Sequence, residues 1–103
     1  MKFLVITDLH QKKSRIDRIN RIIKARKPDF TLFLGDVTDM GTGEDAASLI
    51  KLIDSKVYVI PGNCDSRDMP AKIGGVATDM HKKAVEVGGY RLAGLGGSNI
   101  TIF

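Results

Sequence analysis

A chain of 103 residues, 43% hydrophobic and 27% charged, has the make-up of one globular domain, and no run of about 18 apolar residues reads as a membrane span. The opening MKFLVITDLH meets Asp8 and His10 too early for a secretory signal, and a single cysteine, Cys64, excludes an internal disulfide and fits a reducing, cytoplasmic setting. The formal charge is +4, concentrated where Lys12, Lys13, Arg15, Arg18, Arg21, Lys24, Arg26 and Lys27 face only Asp17; such a stripe is either a solvated helix face or a nucleic-acid contact.

Residues 2–7 (KFLVIT) form an apolar run closed by polar residues, the pattern of a buried strand. Ser14 followed by Asp17 gives a capping-box signal. Ile16, Ile19, Ile22 and Ile23 share one helical face, which predicts a helix over 15–26 that Pro28 stops. Residues 30–34 (FTLFL) predict a second buried strand. Thr42 with Asp45 repeats the capping signal, and Ala46, Leu49, Ile50 and Ile53 form the apolar face of a second helix. Residues 56–60 (KVYVI) predict a third strand, closed by Pro61-Gly62. Over 68–76 only a short helix fits, because Pro70, Gly74 and Gly75 interrupt it. Residues 83–87 alternate, Gly88-Gly89 is a two-residue turn, and 90–95 complete an antiparallel hairpin. Apolar strands joined by amphipathic helices predict an α/β domain, mainly a parallel sheet of βαβ units followed by that hairpin.

Three predicted strands each end in metal-competent residues: Asp8-Leu9-His10, then Gly35-Asp36 with Asp39 after it, then Gly62-Asn63-Cys64-Asp65. Ligands of open α/β sheets bind outside the carboxyl ends of the strands, so the three clusters converge on one edge. Carboxylate and amide oxygens with an imidazole favour Mn²⁺, Fe or Zn²⁺. In an extended segment, alternation places Asp8 and His10 on one side and turns Leu9 away. Asp36, with two charged oxygens, can bridge two cations, and Asn63 adds an uncharged oxygen. Gly35 and Gly62 let the backbone turn sharply off the strands. Asp65 is expected to bond nearby backbone groups, and His81 to be structural or exposed.

The ordered set Asp8-Leu9-His10, Gly35-Asp36-Val37-Thr38-Asp39 and Gly62-Asn63-Cys64-Asp65 resembles the calcineurin-like metallophosphoesterases. The tail Gly94-Leu95-Gly96-Gly97-Ser98-Asn99 resembles a segment of their small prokaryotic, Icc-like members. The resemblance implies a four-layer α/β/β/α sandwich, of which residues 1–103 would supply about half as a single domain cut short at its C-terminus. It implies a hydrolase of phosphomonoesters or phosphodiesters with two divalent metal ions, Mn foremost, with Fe, Zn or Ni as alternatives. Asp8 and His10 would hold the first metal, Asp36 would bridge, Asn63 would hold the second, and Asp39 would orient a neighbour.

The family usually places a histidine after the asparagine, as general acid or phosphate contact; here Cys64 stands there. Nearby cations would drive its thiol toward thiolate, a poor acid, which favours leaving groups that need little protonation. The family's later histidines, including a Gly-His-x-His, would lie beyond Phe103, so the isolated chain is expected to be inactive and its half-sandwich to self-associate. Two other functions remain open at this level: a non-catalytic phosphoesterase-like module that binds proteins, and a nucleic-acid-binding domain, although no base-stacking aromatic pattern accompanies the basic helix.

Overall fold

The computed structural model describes residues 1–62, 64–66 and 68–96; Asn63, Arg67 and 97–103, with Ser98 and Asn99 among them, lie outside the described residues. Four parallel strands, β1 (Phe3–Ile6), β2 (Phe30–Phe33), β3 (Val57–Val59) and β4 (Thr78–Asp79), lie side by side in chain order. The connections carry helices α1 (Lys13–Arg26), α2 (Gly43–Ile50) and the single turn α3 (Met69–Lys72). Crossovers of one hand that always step the same way place their helices on one face of a sheet. Accordingly, Leu4, Ile6, Phe33, Val57 and Val59 point to the same side as Ile16, Ile23, Ala46, Leu49, Ile50, Met69 and Ile73, in one core cluster.

The alternate residues face the other way. Phe30, Leu32, Tyr58, Ile60 and Met80 form a second, smaller cluster with Val85, Val87 and Leu92. These last three come from the hairpin β5 (Lys83–Val87) and β6 (Tyr90–Gly94), antiparallel with Val87 opposite Tyr90. Gly88 and Gly89, at φ 55° and 85°, supply the two left-handed residues a tight hairpin turn needs. The layers thus run helices, parallel sheet, hairpin.

The predicted elements are present, the strands with equal or shorter bounds and α1 starting two residues earlier than expected; two expectations change and one strand is added. The first strand was expected to be buried, but β1 is an edge strand whose Phe3 and Val5 are half exposed, because the hairpin covers the sheet from β2 onward. The capping box at Ser14 does not form: α1 starts at Lys13, and its preceding residue, Lys12, makes no side-chain cap. The start is set upstream, where left-handed His10 and Gln11 donate their N–H groups to Asp36 and Val37 carbonyls. By contrast, Thr42 and Asp45 form the reciprocal capping box at α2, with bonds of 2.9 and 3.1 Å. Strand β4 was not foreseen; it is two residues long and is defined by pairing with Tyr58 and Val59.

Candidate metal centre

Because β1, β2 and β3 are parallel, their carboxyl ends share one edge, and the loops leaving it carry the acidic and imidazole groups. The first two loops continue the sheet's pairing past the strands: Leu34 N donates to Ile6 O (2.8 Å), Asp8 N to Gly35 O (3.2 Å), His10 N to Asp36 O (2.9 Å) and Gln11 N to Val37 O (3.0 Å). The segment 8–10 is not extended, as alternation had suggested. Asp8 (φ 58°) and His10 (φ 48°) are left-handed, and so is Asp36 (φ 53°). Non-glycine residues adopt this region at a steric cost, which the interloop bonds hold in place. Leu9, between the two, is 2% exposed in the main core and anchors the loop.

The loops after β2 and β3 touch backbone to backbone. A Cβ at Gly35 would stand 2.6 Å from Gly62 N, and one at Gly62 would stand 2.2 Å from Asp36 Oδ1. Both glycines are therefore required by close approach. Asp65, fully buried, ties the same loops together: Oδ2 accepts from Gly62 N (2.9 Å) and Val37 N (3.3 Å), and Oδ1 from the Thr38 N (2.8 Å) and Oγ1 (3.0 Å). Its expected structural role is what these bonds describe. Cys64 is fixed at the backbone, its N donating to Asp36 Oδ1 (2.9 Å) and its carbonyl accepting from Met40 N (2.9 Å).

In this frame one ligand atom each of Asp8, His10 and Asp36 lies within 4.8 Å of the others, and so does one each of His10, Asp39 and Cys64. His10 Nε2 is 3.2 Å from Asp8 Oδ1, and His10 Nδ1 is 4.0 Å from Asp39 Oδ1. The two carboxylates nearest each other respond oppositely. Asp36 is raised, first by burial, with the neighbouring Asp8 and Asp65 charges adding to it against the stabilising Cys64 N–H. Asp8 is lowered, chiefly by its hydrogen bond with Asp36. Burial and the neighbouring carboxylate thus disfavour the charged form of Asp36, while the hydrogen bond favours that of Asp8. Two carboxylates that resist ionising together, beside an imidazole, fit a divalent cation. Burial also pushes the Cys64 thiol up, with Asp36, Asp39, Asp65 and Asp8 acting in the same direction. The chain's own groups thus oppose the thiolate that nearby cations were expected to favour.

The structure brings together Asp8, His10, Asp36, Asp39 and Cys64, while Asn63 lies outside the described residues. His81 stands apart from both clusters: its Nδ1 accepts from Gly96 N (2.8 Å) and holds the exit of β6. Two supports escaped the sequence reading. Arg15 Nη1 donates to the Asp8 carbonyl (2.7 Å), and Gln11 Oε1 accepts from Asp39 N (3.1 Å). Nothing distinguishes Arg15 in a run of basic residues; its role depends on where α1 begins.

The profile of the calcineurin-like phosphoesterase family matches residues 1–102. Over 45 residues the chain is 47% identical to a protein of Arcobacter nitrofigilis named probable glycerophosphodiester phosphodiesterase GpdQ; the match spans 41% of this chain and 16% of that protein. The crystal structure of TT1561 of Thermus thermophilus superposes with a TM-score of 0.73 at 14% identity, over 92% of this chain and 48% of that one. The chain therefore spans less than half the length of either relative.

Proposed function

The chain belongs to the calcineurin-like phosphoesterase family, and from that membership we propose that the whole protein hydrolyses a phosphomonoester or phosphodiester at a dinuclear metal site. The observation that carries this reading is the convergence of Asp8, His10 and Asp36 from two strand-end loops to within 4.8 Å. Asp8 and His10 are proposed to hold one ion, Asp36 to bridge, and Asn63, from the loop after β3, to hold the second. Divalent cations, with Mn²⁺ the first candidate, would supply Lewis-acid stabilisation of charge on the phosphoryl oxygens. Asp36 is oriented for bridging by the Cys64 N–H, which donates to its Oδ1. His10 is oriented by its backbone bond to Asp36 and by Asp39 beside Nδ1. Cys64 stands where a leaving-group acid would act, so esters with good leaving groups should be turned over best.

The reading includes one domain that continues past Phe103, where further ligands would complete the site. On this reading the fragment 1–103 alone is inactive. Its exposed apolar sheet face would self-associate, and the protein would work in the cytoplasm. The test is hydrolysis of p-nitrophenyl phosphate and of its bis-ester with Mn²⁺ by the full-length protein. Activity should fall at least a hundredfold in Asp36→Asn, on the order seen when a key electrostatic group is lost. Mn²⁺-dependent turnover surviving in that variant would refute the site.

A further inference from the structure

The His10 ring faces one carboxylate on each nitrogen and belongs to two donor sets. Nε2 looks toward Asp8, and Nδ1 toward Asp39. The set Asp8, His10 and Asp36 offers oxygens and one nitrogen. The set His10, Asp39 and Cys64 offers nitrogen, oxygen and sulfur, again within 4.8 Å. We propose that His10, Asp39 and Cys64 form a second cation position, alternative to the first, that takes a soft divalent ion such as Zn²⁺ or Co²⁺ with the Cys64 sulfur as a ligand.

Bonds of about 2.0–2.3 Å in a tetrahedral arrangement place neighbouring donors about 3.3–3.8 Å apart. The observed 4.0 Å between His10 Nδ1 and Asp39 Oδ1 needs only a small closure. The two less mobile donors are already placed. Cys64 is pinned by Asp36 Oδ1 at its N–H and by Met40 N and Thr38 Oγ1 at its carbonyl. The His10 backbone is pinned to Asp36 O. Asp39, whose side chain is 68% exposed, has the freedom to close the triad. Sulfur beside imidazole selects Zn²⁺ or Co²⁺ over Mn²⁺, whereas the oxygen-rich set on the other ring nitrogen has the opposite bias. Which nitrogen of His10 is bound then decides which ion is held.

Cobalt reports this directly, because sulfur ligation gives Co²⁺ a near-ultraviolet charge-transfer band, and Cys64 is the only cysteine of the sequence. Titrating the metal-free protein with Co²⁺ should produce that band. Cys64→Ser should abolish it, Asp39→Asn should weaken Co²⁺ binding at least about tenfold, and Asp8→Asn should leave the band in place. Asp39 is exposed, so its variant keeps the test informative if Cys64→Ser folds poorly. Co²⁺ binding without the band overturns the inference. So does a band that Asp8→Asn removes and Asp39→Asn leaves untouched, since sulfur would then serve the first position. The assignment needs only these three side chains, so a missing band with Mn²⁺-dependent hydrolysis intact rejects it and leaves the proposed function standing.

Discussion

Asp65 is fully buried, and its two oxygens accept from three backbone N–H groups and one hydroxyl. Asp65→Asn turns an amide NH₂ toward N–H donors, leaving at least one buried donor unpaired. The loss should be about 2–4 kcal/mol, read from urea denaturation. Gly62→Ala puts a methyl 2.2 Å from Asp36 Oδ1, so it should depress metal-dependent hydrolysis even where folding survives. Wild-type turnover in that variant would show that Asp36 does not need its present position. Asp36 itself gives a pH prediction. Its carboxyl is raised in the folded chain, so between its unfolded and folded ionisation points the native state holds more protons than the unfolded one. Stability without metal is therefore greatest below that window and falls as pH rises through it. Asp36→Asn keeps an oxygen for Cys64 N–H and removes the charge. With a chelator at neutral pH the variant should melt slightly above wild type, and the two should converge in acid. Mn²⁺ should then raise the melting temperature of wild type more than of the variant. A variant that melts lower at neutral pH in chelator would contradict this balance. The identities of Asp8, His10, Asp36 and Cys64 were legible because residue type at a strand end is written in sequence. The left-handed backbones of Asp8, His10 and Asp36 and the Gly35–Gly62 contact were not, because those arise only when two loops meet.

At the level of elements, the two capping signals had the same form and different outcomes. Thr42 and Asp45 face a helix start where Asp68 Oδ1 accepts from Gly43 N, and both capping bonds form. Ser14 lies one residue inside α1, because the loop from Asp8 to Gln11 is drawn onto the β2 loop and delivers the chain into the helix early. Thr42→Ala should cost about 1 kcal/mol, while Ser14→Ala should stay within about 0.5 kcal/mol. Thermal or chemical melts of the two variants make the comparison, and equal losses would reject the assigned start of α1. The same contrast explains what of the fold was readable. Periodicity and Gly-Gly chemistry carry local information, so α1, α2 and the hairpin were legible to within a few residues. Strand β4 carries no apolar pattern; Thr78 and Asp79 become a strand only by pairing with Tyr58 and Val59.

Across the whole molecule, the two faces of the parallel sheet are unequally covered. Three helices bury the first. The hairpin covers β2 and β3 on the second but leaves Phe3 and Val5 on β1, with Leu34, Tyr90 and Leu95, between 47% and 74% exposed. These residues are not scattered. Leu34 and Leu95 line one cleft with Tyr58 and Leu92, and Phe3 and Tyr90 line the adjoining hollow with Phe30 and Leu92. An apolar surface that runs over a sheet and up to a strand at the sheet's edge among the described residues invites association through burial. The 103-residue chain by itself should therefore associate as concentration rises, and light scattering across a dilution series should show its average mass climbing. Val5→Thr with Leu95→Ser changes two exposed positions without touching either core cluster, so it should lower that mass while leaving the far-ultraviolet spectrum unchanged. An average mass unaltered by the pair would place the sticky surface elsewhere. A chain monomeric at all concentrations would show that the hairpin and the charge of +4 are enough to keep the face apart.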